Sequence, residues 1–367
     1  LVAQVALSLV LLVSTGLFAR TVARLQGVDA GFARDHLALF RLDATSAGYD
    51  LARAAALHAR VREQVARVAG VRGVTFSRVA LLSRTRQTMT VAIPGATLPA
   101  ATSADVHTNG VDPTFFEVIG VPLLAGRAFT DRDDAAAPRV AIVNQTFARV
   151  FFGDDSPVGR TAVFQAPMLR GPVTIVGVVR DAKYTDLRGV VPPTAYFPAP
   201  QLPEGMANFA VRTAGDPSTV FQAIVAAVRA VDPTVPVLDL RSQATQVDRL
   251  HGQERLFARL SAFFGGSALL LACVGLYGLL SDAVTRRRME LGLRLALGAR
   301  PDQLCTLVVR DGLSLVLVGA ALGTAVALGA SRLVTAMLFD VVPTDPMSYA
   351  GAAAVLLATA AAAAWLP

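Results

Sequence analysis

Four long stretches without a single charge constrain this chain more than any other feature. Leu1–Ala19 is uncharged before Arg20, and Ser261–Ser281 is uncharged between Arg259 and Asp282. Gly312–Ser331 lies uncharged between Asp311 and Arg332, and Pro346–Pro367 carries no charge at all. Each run is about 20 residues, which at about 1.5 Å per helical residue matches a hydrocarbon layer about 30 Å thick. A helix at the surface of a soluble protein turns one face to water and rarely sustains such a run. Over the 367 residues only 17% are charged, against about 25% in soluble domains, and 53% are hydrophobic. The mean hydropathy is +0.51. Four membrane-spanning helices are therefore expected. A cleaved leader fits the first run poorly, because it lacks a basic start and no small-residue cleavage site follows. The chain opens inside one apolar run and stops inside another, which reads as a fragment of a longer protein.

Arginine placement orients the helices. The segment 282–311 carries Arg286, Arg287, Arg288, Arg294, Arg300 and Arg310, whereas 332–345 carries only Arg332. Basic short loops stay in the cytoplasm, so 282–311 is expected inside. Successive helices then run outward, inward, outward and inward, and Arg20 and Arg24 fall outside. The expected organisation is helix 1 at 1–19, an external domain at 20–255, and a stalk with helix 2 at 256–281. A cytoplasmic loop at 282–311, helix 3 at 312–331, a short external loop at 332–345 and helix 4 at 346–367 follow.

The external segment reads as mixed α/β (α+β). Short runs rich in Val, Ile, Phe or Thr and bounded by turn residues predict strands at His36–Asp43, Gly73–Leu82, Thr88–Ile93, Val140–Val143, Val173–Val179 and Asn208–Arg212. Helical spacing of Leu57, Val61, Val65 and Val68 predicts a helix over Leu51–Val68. Asp112-Pro113, Asp216-Pro217 and Asn144 supply capping residues for helices at Thr114–Ile119, Ser218–Val231 and Gln145–Phe152. Strands both precede and follow helices, which points to split βαβ subdomains. Beyond about Asp239 the pattern turns helical through Leu250, Leu256, Phe257 and Leu260, and is expected to continue unbroken into the second span.

Several chemistries are excluded or weakly supported. Lys183 is the single lysine and follows Ala182, so no Gly-Lys-Ser/Thr phosphate loop exists in this chain. Cys273 and Cys305 offer neither a disulfide framework nor a cysteine-rich metal site. His36, His58, His107 and His251 lack metal-ligand spacing. His107 is the best single candidate for a ligand or base, weighed against an ordinary strand histidine. Asp131, Asp133 and Asp134 lack the Gly and distal Glu of a calcium loop, and Ser83, Ser103 and Ser156 sit in no Gly-x-Ser-x-Gly elbow. Asn144-Gln145-Thr146 matches a glycosylation acceptor, a very short motif. The sequence pI of about 10.2 comes without a basic stripe interleaved with aromatics, which argues against nucleic acid. No cofactor or metal is expected.

The segment Thr285–Leu304 is the most informative. As a helix it would place Met289, Leu293, Ala296 and Leu297 on one side and Arg287, Glu290 and Arg294 on another, with Glu290 and Arg294 at ion-pair spacing. Gly298 is a natural helix stop and Pro301 a natural start. From pattern alone two readings stay open: a basic helix on anionic lipid, and a rigid contact point for a cytoplasmic partner. In the second span Gly265, Gly266, Gly275 and Gly278 permit close helix contact, for packing or for motion. Cys273 reads as a small packing residue.

Residues 286–300, RRRMELGLRLALGAR, resemble the Arg-x-x-Glu-Ile-Gly-Ile-Arg-x-Ala-Leu-Gly-Ala signature of FtsX-like, MacB-type ABC transporter permeases. Leu1–Gln26, Asp112–Asp134, Val140–Arg160, Ala272–Leu279 and Pro343-Thr344-Asp345-Pro346 resemble the acidobacterial-type duplicated orphan permeases in the same order. The resemblance covers essentially the whole chain, which is similar to the second module of such a duplicated polypeptide. It implies four transmembrane helices with a large periplasmic domain between the first two, in the bacterial inner membrane. It also implies a type VII permease, non-catalytic itself, coupled to a cytoplasmic ABC ATPase in trans. Expected partners are that ATPase, the other permease module, a periplasmic adaptor and the bilayer. The resemblance assigns ATPase coupling to Arg287, Glu290, Leu291, Gly292 and Arg294, and to Ala296, Leu297, Gly298 and Ala299. Leu291 and Leu293 stand where the signature has Ile, a change that keeps volume. The alternative is a membrane-anchored structural or sensory envelope protein acting without an ATPase.

Overall fold

The computed structural model describes residues 2–26, 28–83, 85–94, 104–166, 169, 171–183, 187, 189–250, 252–286, 314, 316–330, 342 and 344–365. The chain divides into two compact units, Leu1–Val28 with His251–Pro367, and Asp29–Leu250. The first begins with a 25-residue helix, α1 (Val2–Gln26).

The unit spanning Asp29–Leu250 is a split βαβ pair with a barrel inserted in its middle. Its first half is β1 (Leu37–Asp43), α2 (Leu51–Ala66) and β2 (Val71–Ser77). Asp50 caps α2 by accepting from the Arg53 N–H at 2.8 Å, which satisfies one of the unpaired donors at a helix start. Ala54, Leu57, His58, Val61 and Val65 form its buried stripe, three and four residues apart as helix geometry requires.

The insert follows. It holds β3 (Thr88–Ala92), β4 (Asp105–Val111), α3 (Phe115–Ile119), β5 (Leu123–Gly126) and β6 (Val140–Asn144). It continues with α4 (Gln145–Phe152), β7 (Thr161–Phe164), β8 (Pro172–Val179) and β9 (Thr194–Pro198). The second half of the split pair is β10 (Met206–Thr213), α5 (Phe221–Val231) and β11 (Leu238–Ser242).

The four strands of the split pair lie in the order β11-β1-β10-β2, all antiparallel neighbours. Seven consecutive pairs from Leu37↔Arg212 to Asp43↔Met206 fix the central register. Phe40 lies opposite Phe209 with ring centroids 4.7 Å apart and nearly parallel; such cross-strand aromatic pairs add to area burial. Residues of α2 and α5 join this sheet in one core with Leu57, Val61, Val65, Ile224 and Val228.

The insert closes on itself. Strand pairing runs β4-β3-β7-β8-β6-β9 and returns from β9 to β4, so six strands make a ring. Closure leaves those strands no open edge within the ring, and β5 pairs only with β8. The ring core comprises Val91, Val106, Val143, Phe164, Ile175 and Phe197, joined by Phe147 and Phe151 of α4. A single pair, Ser77↔Val111, joins ring and split pair.

Five of the six strand expectations coincide with observed strands to within two residues. The sixth, Gly73–Leu82, is strand only as far as Ser77. Asn144 caps α4 by accepting from the Phe147 N–H at 2.9 Å. Two local expectations need correction. Asp112 is not the cap of the following helix: its carboxylate accepts from the Thr114 N–H at 3.1 Å, and α3 begins at Phe115 after Thr114. Around Asp239 the chain is the edge strand β11, paired with β1, not helix. The helix α6 starts at Gln243 (Gln243–Leu250).

The other unit contains α7 (Gly252–Arg286), α8 (Val316–Ala330) and α9 (Pro346–Trp365) besides α1. His251, between α6 and α7, lies outside the described residues. Val5, Leu9, Val13 and Leu17 form a four-spaced stripe on α1 that packs with Ala272, Val316, Ala352 and Leu356. Of the four expected spans, two are long and apolar enough among the described residues: Val2–Arg24 and Arg255–Gly275. Val316–Ala330 and Pro346–Thr359 are shorter apolar helices. The stretch on either side of α8 lies largely outside the described residues.

Candidate functional site

The site is built on α7, which is one continuous helix of 35 residues. At about 1.5 Å per residue it is about 50 Å long, well beyond the about 30 Å of a hydrocarbon layer. Its last described residue is Arg286, whose Nε donates to the Asp282 carboxylate one turn back at 2.8 Å. The next residue is Arg287, the first of the expected coupling residues. Arg287, Glu290, Leu291, Gly292, Arg294, Ala296, Leu297, Gly298 and Ala299 all lie outside the described residues.

The span glycines divide by environment. A Cβ built on Gly265 would meet the Leu11 side chain of α1 at 3.3 Å. Gly266 and Gly278 meet nothing within 4 Å among the described residues, and Gly275 is half-buried. Tighter contacts occur where the sequence reading did not look. A Cβ on Gly319 would lie 2.7 Å from the Val5 side chain, and one on Gly323 would lie 2.8 Å from the Ala6 carbonyl oxygen. A Cβ on Gly16 would meet Ser348 at 3.2 Å. Without glycine at these places the backbones of α1, α8 and α9 could not approach as they do. The signal was present: Gly319 and Gly323 form a Gly-x-x-x-Gly pair inside an apolar run.

A polar clamp accompanies the glycines. Arg20 of α1 donates to the Asp345 carboxylate, which also accepts from Ser348 N–H at 2.9 Å and Ser348 Oγ at 2.7 Å. Asp345 is therefore both the cap of α9 and the partner of Arg20. The clamp places Arg20 and Asp345 at the same end of the helix unit.

The external unit offers no catalytic constellation among its described residues. No group of three or more His, Cys, Asp or Glu could hold a metal among the described residues. His107 lies in β4, its backbone paired to the Pro193 carbonyl. Burial, aided by the Arg86 charge, lowers its pKa. Asp133 of the acidic turn is held by Arg127 through two 2.8 Å bonds and by the Thr130 N–H. The Arg127 hydrogen bond, first among several contacts, lowers the Asp133 pKa. Asp134 accepts from the Ala136 and Ala137 N–H groups. Asn144 is buried, and its amide is spent on Phe147, Thr194 and Pro192, so the Asn144-Gln145-Thr146 motif is a helix cap and not an open acceptor. Lys183 donates to the Leu187 carbonyl at 2.8 Å.

Comparison with known proteins matches both units. Residues 5–234 match the model of the MacB-like periplasmic core domain, and residues 262–367 that of the FtsX-like permease C-terminal domain. The first match alone covers well over half of the chain. The chain therefore belongs to the MacB/FtsX-like family of ABC transporter permeases, membrane proteins with a large periplasmic domain. Among similar proteins is the uncharacterized ABC transporter permease YknZ of Bacillus subtilis (strain 168). It is 25% identical over 243 residues, which are 64% of this chain and 59% of that protein. The pyoverdine export ATP-binding/permease protein PvdT of Pseudomonas aeruginosa is 25% identical over 237 residues, 60% of this chain and 34% of that protein. The macrolide export ATP-binding/permease protein MacB of Chromobacterium violaceum is 25% identical over 236 residues, 62% and 36% respectively. These matches thus span from about a third to three-fifths of the relatives' own length. The crystal structure of the periplasmic region of MacB from Actinobacillus actinomycetemcomitans aligns with a TM-score of 0.40 at 12% identity, over 63% of this chain and 98% of that one.

Proposed function

We propose that this chain is the permease subunit of a type VII ABC transporter, worked by a separate cytoplasmic ATPase. The observation that carries the proposal is α7: an unbroken helix of 35 described residues, longer than a bilayer core, whose last described residue, Arg286, is the first of the signature-like segment. In this reading residues 287–299 dock on the ATPase, with Glu290 and Arg294 orienting the docking helix and Gly298 ending it. The chain crosses the inner membrane four times, with 282–311 in the cytoplasm and 20–255 in the periplasm. Closure of the ATPase pair moves α7, and the work is done on the periplasmic side, as efflux or extrusion of envelope substrates. The permease catalyses no reaction itself; the relatives PvdT and MacB are named as ATP-binding/permease proteins, and here the ATP-binding part is a partner. The other permease module and a periplasmic adaptor complete the assembly.

A rigid element transmits a shift only between discrete packed arrangements. The glycine contacts of α1 with α7, α8 and α9, and the Arg20–Asp345 clamp, define one such arrangement. Affinity purification of the full-length protein in mild detergent tests the proposal. A stoichiometric ABC ATPase in the eluate is expected, lost in Gly298→Leu with membrane insertion intact. Repeated absence of any ATPase would favour the structural or sensory alternative.

A further inference from the structure

The sheet of the split pair has two faces. Phe40, Leu42, Phe209 and Val211 belong to the core shared with α2 and α5, so strand alternation turns Leu39, Arg41, Asn208 and Ala210 to the other face. Arg241 of β11 lies opposite Leu39 in the ladder and joins them there. Between Leu39 and Arg41 the pairing of β1 with β11 shifts register, and Asp239, at the shift, has a φ of +55°. Bulges of this kind re-aim side chains. On this face lies a cavity of about 280 Å3, lined by Leu39, Arg41, Asn208, Ala210, Asp239 and Arg241. Arg78, Leu81 and Phe115, from the segments that follow β2 and β4, line it as well.

Among the described residues the charged side chains of the lining are Arg41, Arg78, Arg241 and Asp239. Arg78 is matched by Glu204 at 2.9 Å. Arg41 and Arg241 converge on Asp239, the one carboxylate that either reaches among the described residues. Arg241 Nη1 lies 3.1 Å from it, whereas Arg41 Nη2 stands off at 3.6 Å, beyond hydrogen-bonding distance. Two cations therefore share one anion, and one positive charge is left over inside a concave site. The side chains of Arg41 and Asp239 keep 39% and 44% of their surface open to solvent, so an incoming group can reach the pair. We propose that this cavity binds an organic monoanion, a carboxylate on an apolar, ring-sized body, held by Arg41 and Arg241. A single negative charge closes the balance, whereas a phosphate monoester, at about −2, would exceed it. A planar carboxylate also matches the guanidinium fork. The body follows from the volume, which exceeds the roughly 150 Å3 of apolar cavities that hold benzene, and from Leu39, Leu81 and Phe115 on the lining.

The probe that tests this is para-fluorobenzoate, followed by fluorine NMR with the full chain in detergent at neutral pH. Its binding should be saturable, with a Kd of about 1 mM or tighter. The uncharged isostere para-fluorobenzamide should bind about tenfold more weakly or worse, because it cannot accept charge-assisted hydrogen bonds as a carboxylate does. Acetate, which keeps the head group and lacks the ring, should displace the probe only at about tenfold higher concentration or more. Arg41→Gln and Arg241→Gln should each weaken the probe about tenfold, and either carries the test should the other fail to fold. Asp239→Asn separates a binding site from a surface ion pair. Asparagine tolerates the positive φ of this position, and removal of the competing carboxylate should tighten binding about threefold or more. Probe binding no tighter in folded Asp239→Asn would overturn the proposal. So would the absence of saturable binding, equal affinity for the amide, displacement by acetate at equal concentration, or unchanged affinity in a folded arginine variant.

Discussion

The two units of this protein put their large apolar side chains in opposite places. In Asp29–Leu250 the bulkiest buried side chains are phenylalanines, Phe40, Phe115, Phe147, Phe197 and Phe209. In the helical unit the packed interior is made of Val5, Leu9, Val13, Ala272 and Ala352, while Phe263 and Leu270 stand 68% and 70% exposed. The contrast follows from two solvents. Against water, burying apolar area stabilises the fold by about 25 cal/mol per Å2, so the external unit hides its largest rings. Against lipid that gain vanishes, and helices associate through close backbone approach and a few polar contacts. Glycine and the Arg20–Asp345 clamp do in the helical unit what phenylalanine does in the external one.

If that contrast holds, the external unit should be the more sensitive to loss of a buried polar partner. Asp112 is almost fully buried between Arg62 and the start of α3. Asp112→Ala should cost about 3 to 4 kcal/mol of external-unit stability, since breaking a buried pair strands its partner. Denaturant unfolding would register it, and a loss below about 1 kcal/mol would contradict the reading. His58 gives a pH dependence of nearly the same size. Its folded pKa of about 4 lies below the ordinary 6.5, so between those values the unfolded chain binds a proton that the folded one refuses. The stability it supports is complete above about pH 6.5 and falls as the pH drops towards 4, by up to about 3 kcal/mol. His58→Leu should flatten that slope in thermal unfolding at pH 7 and pH 5; an unchanged slope would rule out His58 as its source.

The helical unit should respond to added volume instead. Gly323→Leu would drive a side chain into the Ala6 backbone, costing about 2 kcal/mol, whereas Gly266→Leu, where a built Cβ meets nothing within 4 Å among the described residues, should be nearly silent. Thermal melts of the two variants in detergent decide this; equal effects would remove the distinction. The smallest expected effect is at the clamp. Arg20→Gln should cost less than about 1 kcal/mol, because Arg20 is partly exposed and Asp345 retains its bonds to Ser348.

Legibility in the sequence followed the same divide. The uncharged runs and the Val- and Ile-rich strands announced themselves because burial in either solvent leaves a compositional trace. Asn144 and Asp216 were readable as caps because the capping chemistry is local, and both accept from backbone N–H groups as expected. Strands β4 (DVHTNGV) and β11 (LDLRS) were not. Polar residues and a glycine interrupt the first, and the second is a half-exposed edge whose leucines resemble a helix start. Closure of the six-strand ring depends on β4 meeting β9 across some ninety residues, a pairing no local pattern encodes. Among the glycines, the sequence marked α7 as a whole. Which glycine meets a neighbour depends on helix rotation, and among the described helix glycines that placed the tightest contacts at Gly319 and Gly323 instead.

The central claim, that residues beyond the end of α7 receive force from a separate ATPase, is tested most directly by ATP hydrolysis in the purified complex. Glu290→Arg reverses the charge that would orient the docking helix. The account predicts that this variant inserts normally and no longer stimulates its ATPase, while Gly266→Leu stimulates it as the unaltered chain does. Stimulation by Glu290→Arg at the unaltered level would contradict the account.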